Sequence, residues 1–313
     1  MTGEPTLMDD AARAGWLYYV AGMTQDQIAL ELGVSRQRAQ RLVSKAMAEG
    51  LVKVRLDHKI GRCLALEAGL IRRFDLQQAR VAPDLGPGAD PARSTASAAA
   101  GLLESFLART EPQTIAVGTG RALSAMVAEI ATQQNERHRI VSLIGNIAPD
   151  GSASFYEVVM RLADKLHAPH YPMPVPLISE TPEERALFHA LRPVQAAAKL
   201  AREADVVFVG IGQMGDDAPL YKDGFVTRAQ LAEMQAKGAV GEIVGGVFDH
   251  DGRYIETPIS ALVGGVRVEP GRTVPVIGVA AGSTKLAAIR AALTGRIVNC
   301  LVTDEPTAAA LLA

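Results

Sequence analysis

Between Arg36 and Arg41, five of six residues are arginine or glutamine, the side chains whose paired hydrogen bonds fit the edges of guanine and adenine. Ala39, Leu42 and Val43 share the other side of the same helical projection. Ser35 can cap its start, so Arg36, Gln37, Arg38, Gln40, Arg41 and Ser44 point outward. Upstream, Thr24 and Gln27 stand at the spacing where each side chain satisfies a free backbone donor near the other. Ile28, Ala29 and Leu32 then fall on one face, Gly33 marks a sharp turn, and Val34 packs beneath it. Met23 to Leu56 therefore reads as a helix-turn-helix whose second helix reaches bases with its N-terminal part. The competing reading is a helical hairpin with a solvated charged face; cap, turn glycine and apolar positions in register favour the DNA reader. The candidate DNA contacts are Thr24, Gln25, Ser35, Arg36, Gln37, Arg38, Gln40, Arg41 and Lys53.

Charge agrees with this reading. From Ser35 to Lys59 seven Lys or Arg stand against Glu49 and Asp57, in a chain of 313 residues with formal net charge −2. A local basic patch on a nearly neutral protein is an electrostatic footprint for a phosphate backbone. Leu51 to Leu56 alternates apolar and basic residues after Gly50, as a short hairpin wing would. Ala11 to Val20 supplies a preceding helix, with Trp16, Leu17 and Val20 as its expected core face.

The length allows two domains and a sizeable core, and 48% of the residues are apolar with few aromatics. No apolar run approaches bilayer length, and Met1 to Asp10 lacks the regions of a signal peptide, so a cytoplasmic protein without a membrane partner is expected. Cys63 and Cys300 lie far apart with no CxxC and no histidine cluster, so both read as buried thiols, and neither a disulfide nor a metal is expected.

Near residue 60 the pattern changes. Ile60 to Phe74 carries apolar residues at helical spacing and reads as a connecting helix, packed either on a second subunit or on its own domain. Asp84 to Thr95 is rich in Gly and Pro and reads as a loop. Short Val- and Ile-rich runs follow at Thr114–Val117, Ile140–Ile144, Asp205–Ile211, Val244–Phe248, Val274–Val279 and Ile297–Val302, as strands buried on both faces would. They alternate with Ala-rich helical stretches at Ala122–Ala131, Phe155–Leu166, Pro193–Glu203, Arg228–Lys237 and Thr284–Leu293. Such alternation implies an α/β domain with a mainly parallel sheet flanked by helices. The loops after several strands are glycine-rich and would converge on one crevice at the carboxyl ends of the strands.

Three of these loops could hold a ligand. Gly118-Thr119-Gly120-Arg121 opens a helix, where free N–H groups and the helix dipole favour an anion that Arg121 could also contact; a tight turn needing glycine is the plainer reading. It is not a dinucleotide fingerprint, because Leu123 stands where the third glycine would be. Gly282-Ser283-Thr284-Lys285 repeats the design, with a simple cap and an exposed lysine as the alternative. Asp249-His250-Asp251-Gly252 could hold sugar hydroxyls or act as acid and base, with Asp249 best placed, although Asp-Gly sequences are commonly turns.

In order and spacing, the helix-turn-helix followed by Val117–Arg121 (VGTGR), Leu143–Asn146 (LIGN), Val209–Gly215 (VGIGQMG), Gly238–Glu242 (GAVGE), Phe248–Arg253 (FDHDGR) and Gly278–Lys285 (GVAAGSTK) resembles the SorC family of sugar-responsive bacterial transcriptional regulators. The resemblance implies a small N-terminal all-α winged helix-turn-helix domain (1–58), a connecting helix (59–77) and an effector domain (78–313) similar to sugar-phosphate isomerases and deaminases. It also implies a dimer or tetramer on operator DNA near carbohydrate-use genes, with a sugar, polyol or sugar phosphate as effector. The effector contacts it implies are Gly118, Thr119, Gly120, Arg121, Asn146, Gln213, Asp249, Gly282, Ser283 and Lys285. No cofactor is implied.

The alternative function is a sugar-phosphate isomerase or deaminase with a helical extension. In the deaminases the loop that here reads Gly210 to Tyr221 carries an acid, a histidine and a glutamate; at those positions this chain has Met214, Asp216 and Tyr221. A methionine cannot move a proton, so the loop reads as an enzyme scaffold kept for binding, with no catalytic residue.

Overall fold

The computed structural model describes residues 6–52, 60–147 and 157–313. The chain divides into two units, Met1–His58 and Lys59–Ala313. Helix α1 (Leu7–Tyr19) begins in a capping box of Thr6 and Asp9. Helix α2 (Gln25–Glu31) begins in one of Thr24 and Gln27, and α3 (Arg36–Ala48) starts at Ser35, whose hydroxyl accepts from the Arg38 N–H. Ile28, Ala29, Ala39, Leu42, Val43 and Ala46 form the core of this unit with Ala11 and Ala14 of α1. Trp16 and Val20, expected on the core face of α1, are instead 63% and 62% exposed. The reason is the closeness of the helices: a Cβ on Gly15 would lie 2.9 Å from that of Ala46, so the contact face takes Ala11, Ala14 and Gly15, and bulky residues go outside. Most of the expected wing, Lys53 included, lies outside the described residues.

The second unit runs α4 (Gly61–Phe74), β1 (Gln78–Ala82), α5 (Pro91–Leu107), β2 (Thr114–Val117), α6 (Arg121–Glu129), β3 (Arg139–Ile147), α7 (Val158–Leu166), β4 (His170–Pro176), α8 (Pro182–Ala190), α9 (Arg192–Arg202) and β5 (Val206–Gly210). It continues with β6 (Gly212–Gln213), α10 (Pro219–Lys222), α11 (Arg228–Ala236), β7 (Gly241–Ile243), β8 (Gly246–Phe248), β9 (Val276–Val279), a 3-10 turn at Ser283–Lys285, α12 (Leu286–Thr294), β10 (Cys300–Asp304) and α13 (Glu305–Leu312). Seven strands form one sheet in the order β1-β10-β9-β5-β2-β3-β4, with every pairing parallel. Chain order reverses between β2, which leads to β3, and β5, which leads to β9. One face is covered by α5, α6 and α7, and the other by α4, α9, α12 and α13.

Several elements depart from the sequence expectation. Val244–Phe248 is not a strand of the parallel sheet: Val244 and Gly245 both have positive φ (53° and 73°) and form the turn of a hairpin between β7 and β8, in a separate antiparallel sheet with β6. The loop expected to Thr95 ends at Asp90, which caps α5 ahead of Pro91. Strand β4 escapes sequence reading because Pro172, Pro174 and Pro176 break its pattern, yet it is an edge strand, where missing donors are tolerated. Helix α4 packs on its own domain, burying Cys63 and Leu70, and a Cβ on Gly69 would lie 2.8 Å from Leu312 Cδ1.

Candidate functional site

On α3 the small and aliphatic residues face the core, leaving Arg36, Gln37, Arg38, Gln40, Arg41 and Ser44 exposed on one continuous surface. Arg36 pairs with Asp26 at 3.3 Å and Arg38 with Asp10 at 3.7 Å, while Arg41 has no ion pair among the described residues. Thr24 and Ser35 spend their hydroxyls on helix caps, which fixes the α2 and α3 starts. Gln25 is half-buried at the first turn of α2.

The second unit holds a cavity of about 320 Å³ at the place where the strand order reverses. Its walls come from the loop after β2 (Gly118 to Ala122), the segment after β5 (Gly210 to Gly212) and the loop after β9, including Ala281, Thr284 and Lys285. Gly120 and Gly282 end those loops with φ of 112° and 111°, a region open to glycine and closed to other residues. Gly120 precedes α6 without a side-chain cap, so the first N–H groups of α6 have no side-chain acceptor. The Thr119 hydroxyl is buried with no hydrogen-bond partner among the described residues.

Two half-buried ionisable groups define the electrostatics. Lys285 Nζ donates to the Ile211 carbonyl at 2.8 Å. Burial pushes its pKa below the ordinary lysine value; Glu242 opposes that shift, Arg121 adds to it, and Asp90 opposes it. Glu242 lines the same cavity, and its Oε2 accepts from the Gly245 N–H at 3.0 Å. Burial pushes this carboxyl above its ordinary value, against the Gly245 hydrogen bond and the Lys285 charge. Asp223, also on the wall, is raised by burial and lowered by Arg121.

Of the ligand contacts expected from the sequence, Gly118, Thr119, Gly120, Arg121 and Lys285 line the cavity, and Asn146, Gln213, Asp249, Gly282 and Ser283 do not. Gln213 is buried and internally committed: its amide oxygen accepts from the Gly215 N–H and its amide donates to Asp217 at 2.8 Å. Asp249 Oδ1 accepts from the Asp251 and Arg253 N–H groups at 3.0 and 2.9 Å, so it builds a turn. The Gly282 N–H is held by Thr307 Oγ1, Ser283 is exposed, and Asn146 keeps a buried Oδ1 without a partner among the described residues. Asp90, Asp223 and Glu242 were not foreseen. The Asp90-Pro91 cap is a readable signal for the first, Glu242 closes the Gly238–Glu242 motif without a ligand role being drawn from it, and nothing local marks Asp223.

At the deaminase-like positions, Met214 is buried in an apolar cluster with Leu231 and Met234. Asp216 is exposed and paired with Arg228 at 3.1 Å, whose guanidinium also lies over the Tyr221 ring. None of the three lines the cavity.

Comparison with known proteins places both parts of the chain among transcriptional regulators. Residues 58–313 match the sugar-binding domain family and residues 14–62 the MarR family. The erythritol catabolism regulatory protein EryD of Brucella abortus is 35% identical over 302 residues, covering 96% of each chain. The transcriptional regulator LsrR of Klebsiella pneumoniae is 32% identical over 308 residues, covering 96% of this chain and 92% of that one. The crystal structure of the full-length sorbitol operon regulator SorC from Klebsiella pneumoniae superposes with a TM-score of 0.72 at 26% identity, covering 98% of this chain and 99% of that one.

Proposed function

The chain belongs to the SorC family of sugar-responsive transcriptional regulators, with a helix-turn-helix and a sugar-binding domain, and from that premise we propose that the cavity beyond β2, β5 and β9 is its effector site. The observation that carries this is the convergence of three separate glycine-containing loops on one cavity where the strand order reverses. Thr119, the free N–H groups of α6, Arg121, Lys285 and Glu242 hold the ligand. The exposed face of α3 contacts the operator, with Arg36, Gln37, Arg38, Gln40 and Arg41 toward bases and with Thr24, Gln25, Ser35 and Lys53 toward the backbone.

Two of the relatives carry polyols in their names, erythritol and sorbitol, which supports a sugar or polyol as the effector class. The chain acts without catalysis: the buried Met214 stands where an isomerase-like scaffold needs a titratable group. It works in the cytoplasm as a dimer or tetramer, because paired half-sites need paired readers; no described helix is long and apolar enough to cross a membrane. Ligand binding gates the DNA unit through a difference in affinity between two subunit arrangements. A gel shift with the intergenic DNA upstream of the gene, run with and without sugars, polyols and their phosphates, tests this. A retarded band that one of these compounds shifts is expected; turnover of a sugar phosphate without DNA binding would contradict it.

A further inference from the structure

Resting on the reading of this cavity as the effector site, we propose that Thr307 is the positioning residue that ties the cavity to the connecting helix α4, with α13 carrying a shift of the 280–285 loop to the first turn of α4. No residue of α4 lines the cavity, so the cavity acts on that helix through an intermediate element. In the loop after β9, Ala280, Ala281, Thr284 and Lys285 stand on the wall. Between them the Gly282 N–H donates to Thr307 Oγ1 at 2.9 Å. A Cβ on Gly282 would lie 3.2 Å from Pro91 Cγ, so the loop sits between the start of α5 and the first turn of α13. A ligand that displaces the loop therefore pulls on Thr307 or breaks its bond.

The first turn of α13 is built to pass such a pull on. Thr307 is buried, its own N–H donates to the capping Asp304 Oδ1 at 3.0 Å, and Pro306 stiffens the turn. Glu305 of the same turn accepts from the Asp84 N–H at 2.9 Å and faces Arg62 of α4 at 3.6 Å. Burial raises the neighbouring Cys63 thiol of α4, and the Glu305 and Glu67 charges and a hydrogen bond to Glu305 add to this against Arg62. At its far end α13 is pressed on α4 again: a Cβ on Gly69 would lie 2.8 Å from Leu312 Cδ1, and Arg73 donates to the Leu312 carbonyl. Helices packed this closely shift together and do not absorb a displacement between them. Helix α4 begins at Gly61, shortly after the boundary with the helix-turn-helix unit at His58. A second tie to α4, from Arg296 beyond α12 to Asp75, has side chains 64% and 84% exposed and contributes little. Thr303, one turn before Thr307, keeps a buried hydroxyl without a partner among the described residues, so a second placement of the α13 start has a polar group to satisfy.

Amide hydrogen exchange of the full chain, with and without saturating intergenic DNA from upstream of the gene, tests the inference without any small molecule, because coupling between two sites is reciprocal. The expected result is that DNA changes exchange in the 280–285 loop by about fivefold or more, the low end of coupling factors. Thr307→Val should remove this change while its gel-shift affinity for the same DNA stays as in the parent chain, and Thr307→Ser, which keeps the acceptor, should retain the change. Should a melting curve show Thr307→Val to be unfolded, Glu305→Gln carries the test at the α4 end: it should reduce the DNA-dependent change and leave the DNA-free exchange of the loop as in the parent. A full change in the folded variant overturns the role of Thr307 and α13. A DNA-dependent change confined to the 118–122 or 210–212 segments overturns that role and leaves the cavity as effector site; no change at any of the three in DNA-bound protein overturns both.

Discussion

Helix α3 and the cavity beyond β5 carry the same kinds of charged side chain in opposite settings. Arg36 and Asp26 lie 3.3 Å apart with side chains 70% and 65% exposed, whereas Lys285 and Glu242 are half-buried in the cavity wall and both held by backbone groups. Exposed pairs of the first kind contribute about 0–1 kcal/mol, so DNA phosphates or bases can replace them at little cost. Groups held by the backbone cannot rearrange cheaply, and a ligand must fit the charges it finds. One region is thus suited to exchange partners, and the other to select one.

The largest separation between the two regions is expected from the combined change Arg36→Ala, Arg38→Ala and Arg41→Ala. Each lost base contact costs about 1–3 kcal/mol, so sequence-specific binding in a gel shift should fall by roughly a hundredfold or more, while ligand binding to the cavity stays as in the parent chain. Retained specificity would remove α3 from the reading role. In the other direction, Gly212→Ala drives a methyl against the Glu242 carboxylate. Overpacking of this kind costs about 1–3 kcal/mol; the expected result is loss of the effector response with ligand-free operator affinity intact.

Glu242→Gln gives a smaller effect with a defined pH dependence. Because burial raises this carboxyl, the protonated form is favoured in the folded chain. Its contribution is full below the ordinary carboxylate range and is lost as pH rises through the raised value. The uncharged variant should therefore melt higher at neutral pH without ligand, by about 1 kcal/mol or a few degrees, with the gap closing by about pH 4. A gap that widens on acidification would contradict the assigned burial. Thr24→Ala removes half of a capping box and should destabilise the N-terminal unit alone by about 1 kcal/mol. The smallest change is Lys53→Ala, which should weaken all DNA sequences alike and reduce the salt slope by about 1.

The two regions also differ in how far the sequence disclosed them. The cap and turn of the reading unit rest on neighbours a few residues apart, Thr24 with Gln27 and Ser35 with Arg38, so local spacing suffices. Trp16 and Val20 misled because hydrophobicity says nothing about how near two helices come; the small face of α1 decided that. In the second unit Gly118 to Arg121 and Lys285 stood out as glycine-rich loop chemistry after strands. Gln213 and Asp249 looked equally apt as ligands, but their polar atoms are consumed by the turns that shape their own loops. Glu242 stands in the quoted Gly238–Glu242 motif, but its place on the wall is not legible there, because it depends on pairing with Gly212, thirty residues earlier. A site assembled by long-range pairing leaves little trace in spacing.

The most direct test of the central claim, that a metabolite in the cavity controls the α3 surface, uses reciprocity. Binding linkage requires that operator DNA change the affinity for the ligand by the same factor by which the ligand changes the affinity for operator DNA. Calorimetric titration of the effector with and without saturating operator, set beside operator titrations with and without saturating effector, should give equal factors different from one. An effector affinity unaffected by operator DNA would contradict the account.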